Sequence, residues 1–112
     1  MKKRKIGHAE VGEIGLGCMG MTHAYGPSDE KENLAVLAKA LEIGCDFWDT
    51  ADFYSAGKNE ELLAKALSSH RDKVFLASKV GNVFDSTEIP TMGVVNKLNG
   101  SANYIKKALK IV

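Results

Sequence analysis

The chain has 112 residues, 45% apolar and 26% charged, with a net charge of +1, the balance of an ordinary soluble globular protein about one small domain long. That balance excludes a protein held to nucleic acid or a membrane surface by bulk charge. The basic opening MKKRK is followed by no continuous apolar run, so it reads as a solvated tail and not as a secretory signal or membrane anchor. Cys18 and Cys45 match no metal-ligand spacing and are few for a secreted scaffold, so a reduced, cytoplasmic protein is expected.

Taken in order, Arg4 to Val11 is expected to form a hairpin turning at Gly7 and His8, followed by a short strand from Glu13 to Leu16. Pro27, Ser28 and Asp29 start a helix. Glu32 stands in capping-box spacing to Asp29, and Leu34, Leu37, Ala38 and Leu41 recur at helical period until Gly44 stops the run. CDFWDT, residues 45–50, suits a buried strand. Asn59 is expected to cap a second helix whose apolar stripe is Leu62, Leu63, Ala66 and Leu67, with Glu60 and Glu61 beside its positive end. VFLASK, residues 74–79, has the near-continuous apolar composition of a parallel strand covered on both faces. The order is β-α-β-α-β. Residues 80–100 are rich in Gly, Asn, Ser and Thr and read as a long loop, of a length that is usually functional or disordered, after which Ser101 caps a third helix with Ile105, Ala108, Leu109 and Val112 on one face. That stripe runs to the last residue without a stop signal, which suggests a truncated chain.

GLGCMG, residues 15–20, has the G-x-G-x-x-G spacing of a dinucleotide loop. In such a loop the third glycine opens a helix whose N-terminus faces the pyrophosphate, whereas here the periodic segment begins only near Ser28. A glycine-rich strand end that allows close approach of backbone or ligand is the better match.

Chemistry gathers elsewhere. Asp49 closes the second strand, Lys79 closes the third, and Tyr54 lies in the loop after Asp49. Paired parallel strands lie about 4.8 Å apart, so Asp49 and Lys79 would emerge side by side, each topping an inward-facing column, with Tyr54 bent over them. An ammonium beside a phenol stabilises the phenolate, so the trio suits carbonyl reduction: Tyr54 as general acid, Lys79 tuning it, Asp49 orienting Lys79. A plain ion pair with a packed tyrosine ring fits the same spacing.

GLGCMGM, FWDTADFYSAGKNEELLAKAL and KVFLASKVG together resemble the N-terminal third of an aldo-keto reductase, and the D-T-A-x-x-Y-x-x-G-x-x-E block is specific. The resemblance runs from about residue 4 to residue 112. It implies an α/β fold, part of a (β/α)8 TIM barrel, so that residues 1–112 would be the N-terminal portion of one barrel domain with three of its strand-helix units. It implies reduction of small-molecule aldehydes and ketones by hydride from NADPH, with no nucleic-acid or membrane partner. Tyr54 matches the family's proton donor, and Asp49 and Lys79 match its supports. Gly17, Cys18 and Met19, with Asp49, match the place where the nicotinamide half lies, and the opening hairpin matches the plug under the barrel. Ala102 and Asn103 stand where Pro and Glu are commoner.

A barrel of this class needs about 250 residues. The family's catalytic histidine after the fourth strand has no counterpart here, nor do the segments that grip the adenosine phosphate. His23 falls in the first active-side loop and could line the site; His8 and His70 fall on the opposite rim or the surface. Little or no turnover is expected of the 112 residues alone. A non-catalytic barrel that senses its cofactor, or a truncated chain with an interaction role, are the alternatives.

Overall fold

The computed structural model describes residues 1–22, 24–83 and 97–110. Strands β1 (Lys3–Ile6) and β2 (Ala9–Gly12) pair antiparallel, Arg4 opposite Val11 and Ile6 opposite Ala9. Gly7 turns the hairpin at φ +58°, a conformation that costs glycine nothing because it has no Cβ. The hairpin is pinned to the main sheet through Asp46: the Lys3 ammonium pairs with one carboxylate oxygen, and the Gly12 N–H donates to the other at 2.7 Å.

Strands β3 (Leu16–Gly17), β4 (Phe47–Asp49) and β5 (Phe75–Ala77) form a parallel sheet in the order β3-β4-β5. Helix α1 (Glu30–Glu42) joins the first two and α2 (Lys58–Leu67) the next two, so the expected β-α-β-α-β order holds. The first strand is shorter and later than residues 13–16, because the Glu13 N–H still serves the hairpin, donating to the Lys2 carbonyl at 3.0 Å. Asp29 caps α1 as its spacing predicts, its carboxylate accepting from the Glu32 N–H at 2.9 Å, a contact worth about 1 kcal/mol. Gly44 follows the helix at φ +75°. The buried face of α1 runs through Leu37 and Ala40; Ala38, expected on the stripe, is exposed.

Alternation along the strands separates two faces. Trp48 is 0% exposed and packs with Leu37, Leu63, Leu67 and Val74, flanked by Leu16 and Leu76, its register partners on either side. Its indole N–H donates to the Cys45 carbonyl at 2.8 Å, so the large ring is buried with its polar atom satisfied. Phe47 and Phe75 belong to the other face, where their rings meet edge-on at 5.6 Å. Phe75 remains 36% exposed, so β5 is covered on one face and not on both as its composition predicts. Among the described residues β3 and β5 each pair along one edge only, and nothing closes the sheet over Phe47 and Phe75.

The stretch expected to be a loop opens and closes as paired strands, β6 (Asn82–Val83) and β7 (Lys97–Leu98), in antiparallel register. Helix α3 (Ala102–Ala108) is capped by Ser101, which accepts from the Tyr104 N–H at 3.3 Å. His23, the 84–96 part of the loop and Val112 lie outside the described residues. No helix among the described residues is long and apolar enough to cross a membrane, and Cys18 and Cys45 are free thiols, both buried.

Candidate active site

The backbone keeps β4 and β5 joined past their last paired residues: the Thr50 N–H donates to the Ala77 carbonyl at 2.8 Å, and the Asp52 N–H to the Lys79 carbonyl at 3.2 Å. This brings Lys79 beside Asp49. The Lys79 ammonium forms an ion pair with Asp49 Oδ1 and donates to the Thr50 carbonyl at 2.9 Å and to Tyr54 Oη at 3.2 Å. The trio expected from the alternation of the strands is therefore assembled, with Lys79 at its centre. The Lys79 and Asp49 side chains keep 44% and 43% of their exposure, while Tyr54 is 7% exposed. Burial by itself would pull the Lys79 pKa down, but the hydrogen bonds it donates to Asp49 and Tyr54 outweigh it and hold the ammonium above its ordinary 10.5.

Tyr54 is aimed by an unusual turn. Ser55, Ala56 and Gly57 all take left-handed conformations, at φ +52°, +53° and +87°, and for the two residues that carry a Cβ this costs about 1 kcal/mol or more each. The turn is held from outside: the Ser55 hydroxyl donates to the Thr22 carbonyl, and the Asn59 N–H reaches back to the Tyr54 carbonyl at 3.3 Å.

Across the sheet, Gly17 stands opposite Asp49. A Cβ built on Gly17 would meet nothing within 4 Å, so the end of β3 presents open space next to the carboxylate. Cys18 differs from its neighbours. It is 0% exposed, its N–H donates to the Asp49 carbonyl at 2.9 Å, and burial, reinforced by the Asp49 charge, pushes its thiol pKa up to about 12. Of the four residues expected to meet a cofactor, Gly17, Met19 and Asp49 have accessible surface and Cys18 has none. The remaining glycines of GLGCMG have packing reasons: a Cβ on Gly15 would stand 3.1 Å from the Phe47 carbonyl, and one on Gly20 would stand 2.7 Å from the Tyr25 ring. Helix α1 opens only at Glu30, so the motif does not run into the helix that follows it as a dinucleotide loop would.

Asn59 corrects a sequence expectation. The residue at the cap position of α2 is Gly57, without a side-chain cap, and Asn59 lies within the first turn, 0% exposed. Its amide nitrogen donates to the Cys18 carbonyl and to Thr22 Oγ1, both at 2.8 Å, and its oxygen accepts from Thr50 Oγ1 at 2.6 Å. Glu60 accepts from the Ser78 hydroxyl at 2.6 Å and so ties α2 to the residue before Lys79. Asp52, between Asp49 and Tyr54, has its carboxyl pKa raised by burial and then by Glu60, and its Oδ1 is buried with no hydrogen-bond partner among the described residues. The only sequence signal for these roles was that all three residues fall inside or beside the D-T-A-x-x-Y-x-x-G-x-x-E block. His8 is exposed in the turn of the hairpin, and His70, also exposed, lies in the connection from α2 to β5, at the end of the sheet away from the trio. Among the described residues no group of three or more His, Cys, Asp and Glu is placed to hold a metal ion.

Comparison with known proteins adds to this geometry. The model of the Aldo/keto reductase family matches residues 13–111. An aldo-keto reductase from Schizosaccharomyces pombe, whose name carries NADP(+), is 43% identical over 96% of this chain and 31% of its own length. An aldo-keto reductase from Bacillus halodurans, solved in its holo form, superposes with a TM-score of 0.81 at 36% identity, over 98% of this chain and 34% of that one. One from Klebsiella pneumoniae, solved in complex with NADPH, does so with a TM-score of 0.59 at 32% identity, over 71% of this chain and 28% of that one. The chain thus spans about a third of the length of the relatives it matches.

Proposed function

Because this chain belongs to the aldo/keto reductase family, we propose that its residues form the proton-donating part of an NADPH-dependent carbonyl reductase acting on small aldehydes or ketones. The activity is proposed for a protein in which the rest of a barrel accompanies them, since the parallel order β3-β4-β5 with its joining helices is part of a (β/α)8 wall. The observation that carries the proposal is the Lys79 ammonium, in contact with Asp49 and Tyr54 at once.

The residues present fit a nicotinamide. Open space over Gly17 lies next to the half-exposed Asp49 carboxylate, and Met19 has accessible surface on the same rim. Bound there, the cofactor would supply the hydride that reduces the carbonyl carbon. Tyr54 holds the proton for the carbonyl oxygen at Oη. Lys79, 3.2 Å from that oxygen, stabilises the negative charge that remains after the proton leaves. Asp49 and the Thr50 carbonyl hold the ammonium in place. The buried ring of Tyr54 keeps the donor rigid, and the exposed side of the pair leaves room for substrate.

The test is NADPH oxidation with an aromatic aldehyde by the complete protein. Tyr54→Phe keeps the ring and removes the proton, and is expected to lower turnover by about 10²-fold or more while the NADPH dissociation constant stays within about twofold. Unchanged turnover would remove Tyr54 from the mechanism. A protein that binds NADPH but reduces no carbonyl would instead be a cofactor-sensing barrel.

A further inference from the structure

We propose that Asn59 is a positioning residue for the reduction: it sets the distance between the segment that would carry the nicotinamide and the Tyr54 proton donor. The inference rests on the function proposed above. Asn59 is 0% exposed, and both hydrogens of its amide are used, one on the Cys18 carbonyl and one on Thr22 Oγ1, each at 2.8 Å. A carbonyl oxygen only accepts, so the contact with Cys18 fixes the amide nitrogen on that side and leaves the oxygen to accept from Thr50 Oγ1 at 2.6 Å. The backbone N–H of the same residue holds the Tyr54 carbonyl.

Through its side chain and its backbone N–H, this one residue on the first turn of α2 thus ties a distant segment to two places in the loop between β4 and α2. The distant segment is 18–22 after β3, and the two places are the residue next to Asp49 and the turn that carries Tyr54. The Ser55 hydroxyl adds a second link to the Thr22 carbonyl, so Thr22 is held from two sides. The turn between Tyr54 and Asn59 includes two left-handed residues with side chains, Ser55 and Ala56, a conformation that persists only where its surroundings impose it. An aliphatic residue would fill the space at the start of α2. It would not fix direction, whereas an amide with each of its hydrogens and its oxygen engaged does. Hydride and proton must be delivered to adjacent atoms of one carbonyl, so an error in the spacing of these segments acts on the chemical step, and about 1 Å of misplacement costs about 10²-fold.

The test uses the complete protein, with the rate of hydride transfer measured in a single turnover with NADPH and an aromatic aldehyde, alongside the NADPH dissociation constant and the melting temperature. Asn59→Asp keeps the shape and the acceptor for Thr50 but loses both donated hydrogens; Asn59→Ala loses everything. In variants that melt well above the assay temperature, the single-turnover rate is expected to fall about 10²-fold, with NADPH affinity changed only a few-fold. Thr22→Val, which removes one partner and leaves Asn59 in place, is expected to cost about tenfold, and Thr22→Ser, which keeps the hydroxyl, to restore the rate; this pair decides the matter if the Asn59 variants fail to fold. Folded Asn59 variants, or Thr22→Val, with the parental single-turnover rate would reduce Asn59 to a structural contact. Tyr54→Phe serves as the control. If it is inactive while the Asn59 variants run at full rate, the positioning role alone fails; if it too is fully active, the proposed reaction fails and the positioning role with it.

Discussion

Replacing Lys79 by Met keeps the unbranched stem and removes the ammonium that lies 3.2 Å from Tyr54 Oη. In the proposed reaction that oxygen acquires negative charge as the proton leaves, and the lost attraction sets the penalty. Two unit charges at this distance attract by about 1 kcal/mol in bulk water and about 5 kcal/mol at the effective dielectric of a protein surface near 20. The Lys79 side chain is 44% exposed, which places it between those limits, and a value of about 3 kcal/mol corresponds to a loss of about 10²-fold in rate. The assay is single-turnover NADPH oxidation by the complete protein with the parent, Lys79→Met, Tyr54→Phe and the double variant. If Lys79 acts through the Tyr54 oxygen as proposed, its loss should be nearly silent in the Tyr54→Phe background, a strong departure from additivity. Losses that simply multiply, or a Lys79→Met rate within about threefold of the parent, would refute the coupling. The pH dependence has a defined sign: the ammonium is favoured in the folded protein, so its contribution to stability is complete below the ordinary 10.5 and is lost as pH rises through the higher folded value.

At the other end of the sheet, burial alone would raise the pKa of Asp46, but the Lys3 ammonium and the Gly12 N–H outweigh it and hold the carboxyl below its ordinary 3.8. Its contribution is therefore complete above that value and is lost as pH falls through the lower folded one, so Asp46→Asn should cost about 1 kcal/mol in neutral urea melts, a gap that closes in acid; a gap independent of pH would contradict the ion pair. The Cys18 thiol, pushed up to about 12 by burial, and Cys45, raised by burial and then by Asp46, carry little thiolate at neutral pH. Iodoacetamide at about pH 8 should leave both unmodified in the folded protein and alkylate both in denaturant, and rapid labelling of the folded chain would contradict their burial.

The sequence by itself determined the β-α-β-α-β order and the meeting of Asp49, Tyr54 and Lys79, because each rests on short-range rules. Asp29 and Glu32 mark a helix start three residues apart, and Gly44 marks its end. Two-residue alternation places Asp49 on the face of Phe47 and opposite Trp48, and parallel pairing then sets Lys79 beside it. The same local rules misread Asn59. A polar residue at a helix start reads as a cap, yet the partners of its amide are Cys18, Thr22 and Thr50, two of them far away along the chain. Nor does periodicity alone separate Ala38 from Ala40, since the packing partner of α1 decides which side of the stripe is covered. The tertiary structure decided which polar groups meet. Contacts between distant segments depend on how α1 and α2 settle over Trp48 and on where the loops after β3 and β4 end up, and no propensity within a short window encodes that.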